Sequence, residues 1–63
     1  MRRRKIEYLT EYTDGHMDEN VATLRADNFR AVIALAVLHI IEPLESYKNV
    51  NRVEVLGIRV EEE

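Results

Sequence analysis

Polar and apolar positions alternate over residues 5–13. Ile6, Tyr8, Thr10 and Tyr12 fall on one side of an extended chain, and Lys5, Glu7, Leu9, Glu11 and Thr13 on the other. A period of two predicts a strand with one buried face, Leu9 being the exception on the polar side. Asp14-Gly15 marks a turn, and the polar stretch that follows extends the connection. Residues 20–26 admit two readings. As a strand they put Ala22, Leu24 and Ala26 on one face, and Val21, Thr23 and Arg25 on the other. Pairing Tyr12 with Ala22, Thr10 with Leu24 and Tyr8 with Ala26 keeps the apolar sides together, whereas a slip of one residue scatters them. The same register sets Glu11 opposite Thr23 and diagonal to Arg25. The alternative is a long helix capped at Asp18 and running to Ile41, but Val21, Ala22 and Leu24 then spread around most of its circumference. The hairpin is the preferred reading.

The period changes at Phe29. The stretch 29–41 holds only Arg30 and His39 as polar side chains, and Asp27 or Asn28 stands ready to cap the first turn of a helix. Pro43 disfavours a helical Glu42, so the helix is expected to stop near Ile41 or Glu42, with a short turn after it that has Pro43 at its first position. The last element, 52–60, is rich in β-branched residues. Val53 and Val55 share a face, while Ile58 and Val60 are out of phase with them; one extra residue at Leu56-Gly57 restores the alignment, as a β-bulge does. The expected fold is α+β: a small ββαβ domain, a three-stranded and largely antiparallel sheet with one apolar helix packed across it.

On a wheel of about 100° per residue, Phe29, Val32, Ile33, Ala36, Val37 and Ile40 gather on one arc that serves as the core face. Ala31, Ala34, Leu35, Leu38 and Ile41 lie opposite, with Arg30 and His39 at the margins. A helix covering a sheet on one side only is normally polar on the other. Burying Leu35, Leu38 and Ile41 contributes roughly 1.5–3 kcal/mol each, comparable with the whole stability of a domain this small. A second copy offers the same patch about a twofold axis, so a helix-mediated homodimer is expected, with Ala31, Ala34, Leu35, Leu38 and Ile41 at its interface. The alternative is that the hairpin or the segment after Pro43 folds over this face.

Size sharpens that expectation. A single domain of 63 residues buries only about 60% of the surface its unfolded chain exposes. Disulfides and thiolate metal sites are excluded, because the chain has no cysteine. Nine basic side chains against twelve acidic ones give a net charge of −3, and the signs are separated. Arg2, Arg3, Arg4 and Lys5 lie at one end, read as a disordered basic arm over 1–4, and an acidic tail occupies 61–63. No export signal is expected, since the basic run is followed by a half-polar segment. The longest apolar run, Ala31 to Leu38, is far short of a bilayer span. No membrane association is expected, and the placement is cytoplasmic.

Candidate chemistry is sparse. Asp14, His16, Asp18 and Glu19 are all capable of binding metal, but their spacing fits neither a calcium loop nor a zinc signature, and polar residues crowd hairpin turns for backbone reasons. No metal or cofactor is expected. His39, beside an apolar face, is a candidate pH-sensitive residue, because charging a buried imidazole costs desolvation energy. It has no nucleophile to serve, as Ser46 is the one serine and there is no cysteine. No enzymatic activity is expected. The arm Arg2, Arg3, Arg4 and Lys5 is a candidate phosphate contact, with Arg25, Arg30, Arg52 and Arg59 in support. Against it stand the acidic balance and the lack of any nucleic-acid-binding motif. Glu7, Leu9, Glu11, Val21 and Arg25 form a mixed outer strand face suited to a partner protein.

In the order of its elements alone, and in no signature residue, the chain resembles several small phage-encoded inhibitors that bind host enzymes. That resemblance implies action by occupying a protein surface. The expected function is therefore a small non-enzymatic, homo-oligomeric interaction factor of inhibitor or adaptor type. The alternative is a nucleic-acid-associated protein that uses the basic arm.

Overall fold

The computed structural model describes residues 2–61. Strands β1 (Arg2–Tyr12) and β2 (Met17–Ala26) form a hairpin. A helical rod follows, made of α1 (Phe29–Ala36), a π-helical turn (Val37–Ile41) and α2 (Glu42–Glu45). Strand β3 (Val50–Glu61) completes an antiparallel sheet of order β2-β1-β3. The chain thus leaves one edge of the sheet, runs along a single face as a helix, and returns at the other edge. This is the ββαβ arrangement expected from the period changes, and it excludes the long helix from Asp18.

Turn chemistry sets the hairpin. Gly15 has φ +96°, a left-handed conformation that costs glycine little. Its N–H donates to Tyr12 C=O, and Tyr12 N–H donates to His16 C=O. This is the three-residue loop in which a type I turn is followed by a left-handed residue. The Asp14 carboxylate accepts from the His16 N–H at 3.0 Å and from the His16 ring, which lies stacked on Tyr12 with centroids 4.2 Å apart.

Because this loop is tight, β2 starts at Met17, and the expected register is corrected. Tyr8 pairs with Asn20 instead of Ala26, and Ala22 with Ile6 instead of Tyr12. Each strand keeps its expected faces nonetheless, because the displacement is an even number of residues and side chains alternate with period two. Residues 2–4 are also corrected. They are not a frayed arm: Arg2, Arg3 and Arg4 pair with Ala26, Arg25 and Leu24. Of the acidic tail, Glu61 ends β3 opposite Arg3, and 62–63 lie outside the described residues.

In β3 the register slips between Gly57, opposite Glu7, and Val55, opposite Tyr8. Leu56 is the extra residue, at the position the out-of-phase valines predict. A second slip leaves Asn51 unpaired between Arg52 and Val50, a feature the side-chain pattern does not reveal.

The rod differs from expectation in two ways. First, it does not end before Pro43. The Glu42 N–H reaches Val37 C=O, five residues back, and Glu42 is helical at φ −60°, ψ −46°. In an α-helix the proline ring would strike the carbonyl four residues earlier; widening the preceding turn offers a way around that clash. Second, the core face is rotated. Val32 and Ala36 are buried, and Ala31, Leu35, Ile40, Ile41 and Leu44 half-buried. Phe29, Ile33 and Val37, expected inside, are 60%, 37% and 38% exposed. The sheet-facing line is turned by about 60–70° from the predicted one. Small side chains at Ala31 and Ala36 let the rod lie close to the sheet, where Phe29 would hold it off. Asn28, rather than Asp27, caps α1, its side-chain oxygen accepting from Ala31 N–H at 2.8 Å.

The resulting core is thin. Among the described residues Ile6, Thr10, Ala26, Val32 and Ala36 are buried, and only Ile6 and Val32 of these are large and apolar. The molecule measures 39 × 17 × 12 Å with a radius of gyration of 12.3 Å, against about 10.6 Å for a compact domain of this length. A flat, extended shape leaves much surface uncovered.

Candidate interaction surfaces

The outward side of the helical rod is the first surface. Phe29, Ile33 and Val37, four residues apart, form a stripe, and Ala34 and Leu38 extend it; Leu38 is 58% exposed. The predicted dimer interface is therefore divided. Ala34 and Leu38 lie on the open side, while Ala31, Leu35 and Ile41 are half-covered by their own chain. The chain does have an uncovered apolar helix face, but its centre is the stripe that the wheel assigned to the core. His39 is exposed in the π-helical turn. Arg30 is exposed as well.

The second surface is the sheet face turned away from the helix. Glu7, Leu9, Glu11, Val21 and Arg25 all share it, as the alternation predicts. Their neighbours differ from expectation. Glu11 stands opposite Met17 and Arg52, not Thr23. Its carboxylate takes a 3.0 Å hydrogen bond from Arg52, which also reaches Glu54 at 2.9 Å. These two carboxylates, Glu54 first, hold the Arg52 guanidinium above its ordinary pKa. Glu7 pairs with Arg59 at 2.7 Å. Beside Glu7, a shallow cleft of about 460 Å³ is lined by Glu7, Glu19, Asn20, Val21 and Leu56. The Leu56 bulge helps shape it, and its lining is mixed: Val21 and Leu56 beside two carboxylates and the Asn20 amide.

Charge is graded along this face. Arg3 lies opposite Arg25 on one side and Glu61 on the other, and Lys5 opposite Arg59, at one end; Glu7, Glu11, Glu19 and Glu54 occupy the other, with Arg52 among them. Arg2, Arg3, Arg4 and Lys5 do not form a single cationic arm. Alternation along β1 sends Arg3 and Lys5 to the outer face and Arg2 and Arg4 to the helix side, where Arg4 Nε donates to Ala26 C=O at 3.5 Å.

Comparison with family models, with curated proteins and with solved structures gives no match. Function must be read from these surfaces.

At the hairpin tip, Asp14 and His16 bond each other. Hydrogen bonds from the His16 N–H and ring draw the Asp14 carboxyl below its usual range. Tyr12 is shifted upward, by desolvation and then by the neighbouring Asp18 carboxylate. Among the described residues, no group of three or more His, Asp or Glu side chains is placed to hold a metal ion. No helix among them is long and apolar enough to cross a membrane.

Proposed function

We propose that this chain is a non-enzymatic interaction protein, of inhibitor or adaptor type, that self-associates and acts by covering a partner protein's surface. One observation carries the reading: more large apolar side chain lies open on the helical rod, at Phe29, Ile33, Val37 and Leu38, than is sealed inside at Ile6 and Val32. Contiguous apolar surface of this kind marks association sites. Self-association through the rod supplies the burial that so small a domain lacks. The outer sheet face, with Glu7, Leu9, Glu11 and Val21 and a mixed cleft lined by Glu7, Glu19, Asn20, Val21 and Leu56, is then free for a partner carrying basic and apolar side chains.

Sedimentation of the wild type beside Leu38→Glu and Ile33→Glu tests the reading. Neither residue is buried, so the variants are expected to retain their circular dichroism and to sediment as a smaller species than the wild type, which sediments as a dimer or larger. A monomeric wild type would refute it.

The basic end of the outer face, where Arg3, Lys5, Arg25 and Arg59 adjoin, supports a second reading as a nucleic-acid contact. Affinity for DNA and RNA measured at two salt concentrations discriminates, since phosphate contacts weaken steeply with salt.

A further inference from the structure

β1 is paired on both sides, so the sheet has two edges, and they are not alike. β3 is interrupted by bulges at Leu56 and Asn51, which disturb the even spacing of its outward N–H and C=O groups. β2 pairs without interruption, and its ten residues include no proline, glycine or lysine. Bulges, which twist an edge away from a neighbouring strand, are thus present on β3 and missing from β2, whose protection is limited to its charges Asp18, Glu19 and Arg25.

The turn fixes which backbone groups of β2 point outward. Tyr12 N–H bonds His16 C=O, so alternation directs Asp18, Asn20, Ala22, Leu24 and Ala26 toward β1. Met17, Glu19, Val21, Thr23 and Arg25 then present theirs at the open edge. Charge is ordered along the same strand, with Glu19 near the hairpin tip and Arg25 near the other end. Arg25 stands directly opposite Arg3. Among the described residues, neither Arg25 nor Glu19 makes an ion pair within its own chain.

We infer that β2 pairs antiparallel with β2 of a second copy, about a twofold axis at Ala22. In this register Glu19 of each copy faces Arg25 of the other, and Val21 faces Thr23, a β-branched pair. The four facing pairs exchange about eight backbone hydrogen bonds. Neighbouring registers fit less well: an axis at Val21 sets Met17 against Arg25, and one at Thr23 sets Glu19 against Asp27. The acidic end of one outer face lies beside the basic end of the other. A continuous six-stranded sheet results, with both helical rods on one side and their apolar stripes still open. This contact goes beyond helix-face association and does not depend on it.

The chain has no cysteine, so a single introduced thiol reports the register. Ala22 meets its own copy as a non-hydrogen-bonded pair, with Cα atoms about 4.5 Å apart, within reach of a disulfide. Val21 is displaced from its own copy along the strand, roughly 7–8 Å away on the diagonal. Both thiols are introduced into the Leu38→Glu background, so that helix-face association does not contribute. Ala22→Cys is expected to give a covalent dimer on mild oxidation, and Val21→Cys is not. Glu19→Arg should weaken association by about tenfold, and adding Arg25→Glu should restore it. An Ala22→Cys chain that stays monomeric, preferential linking through Val21→Cys, or no recovery in the double charge swap overturns the inference. Failure of the helix-face reading has a different signature, an assembly size that Leu38→Glu leaves unchanged.

Discussion

Val32→Ala and Phe29→Ala should have opposite consequences to those their sizes suggest. Val32 is 0% exposed and Phe29 60%. Shortening Val32 removes two methyl groups, about 1.6 kcal/mol by transfer, and the cavity left in a thin core raises the cost to about 2–3 kcal/mol. A domain of 63 residues has about 3–9 kcal/mol in all, so this one substitution removes about a fifth of it at the least and most of it at the low end of that range. Phe29→Ala deletes far more side chain, yet less than half of that ring is covered within the protomer. Its cost to the isolated chain is about 1 kcal/mol or less. Urea unfolding followed by far-ultraviolet circular dichroism, repeated over a wide range of protein concentration, separates the two. Val32→Ala should lower the midpoint at every concentration. Phe29→Ala should matter little at high dilution and should reduce the rise in stability with concentration that helix-face assembly confers. A Phe29→Ala chain as unstable as Val32→Ala at the lowest concentration would mean that the rod turns its aromatic residue inward, and the proposed association face would be lost with it.

Two further outcomes are expected. Gly15→Ala should destabilise the hairpin by about 1 kcal/mol or more, because φ is +96° there. Gly57→Ala, where an added methyl meets nothing within 4 Å and φ is ordinary, should be neutral or stabilising by up to about 1 kcal/mol in thermal unfolding. The lowered Asp14 pKa means that its support of the turn is complete above the ordinary value of 3.8 and is lost as pH falls through the lower folded value. Amide exchange at His16 should therefore accelerate in that acidic window, and an unchanged rate in Asp14→Asn would refute the linkage.

Much of the architecture is legible in the pattern of side chains, because alternation and burial have one cause. The two faces of β1, the strand over 20–26 and the Leu56 bulge all follow from asking which residues must share the apolar side. The register of the hairpin is less legible. Pairing Tyr12 with Ala22 and pairing Ile6 with Ala22 put the same residues on the same faces, and backbone geometry at Gly15 chooses between them. The basic run is obscured for a related reason. Arg2 to Arg4 look like a solvated arm by composition, but their backbone finds partners in Leu24 to Ala26, and a strand tolerates charge wherever its side chains reach water. Of the candidate surfaces, the outer sheet face is readable from alternation alone, whereas its arginine partners on β3 depend on a register that two bulges displace.

The helix shows where periodicity runs out. A wheel of constant pitch sends Ile41 and Leu44 away from Val32, which makes residues 29–44 look greasy on two sides. The Glu42-to-Val37 hydrogen bond inserts one extra residue into the turn and sets every later side chain back by about 100°. Ile41 and Leu44 then come round to the line of Val32 and Ala36, and both are half-buried. Part of the apparent second face was thus the first face continued past a phase slip. What remains outward, Phe29, Ile33, Val37 and Leu38, lies before the slip or within it. Pro43 was the available signal, read as a stop because a proline ends an α-helix more often than it widens the turn before it. Tracing the slip back from that proline shortens the exposed apolar stripe to its N-terminal half, on the part of the rod that packs against β2, the strand whose edge is open.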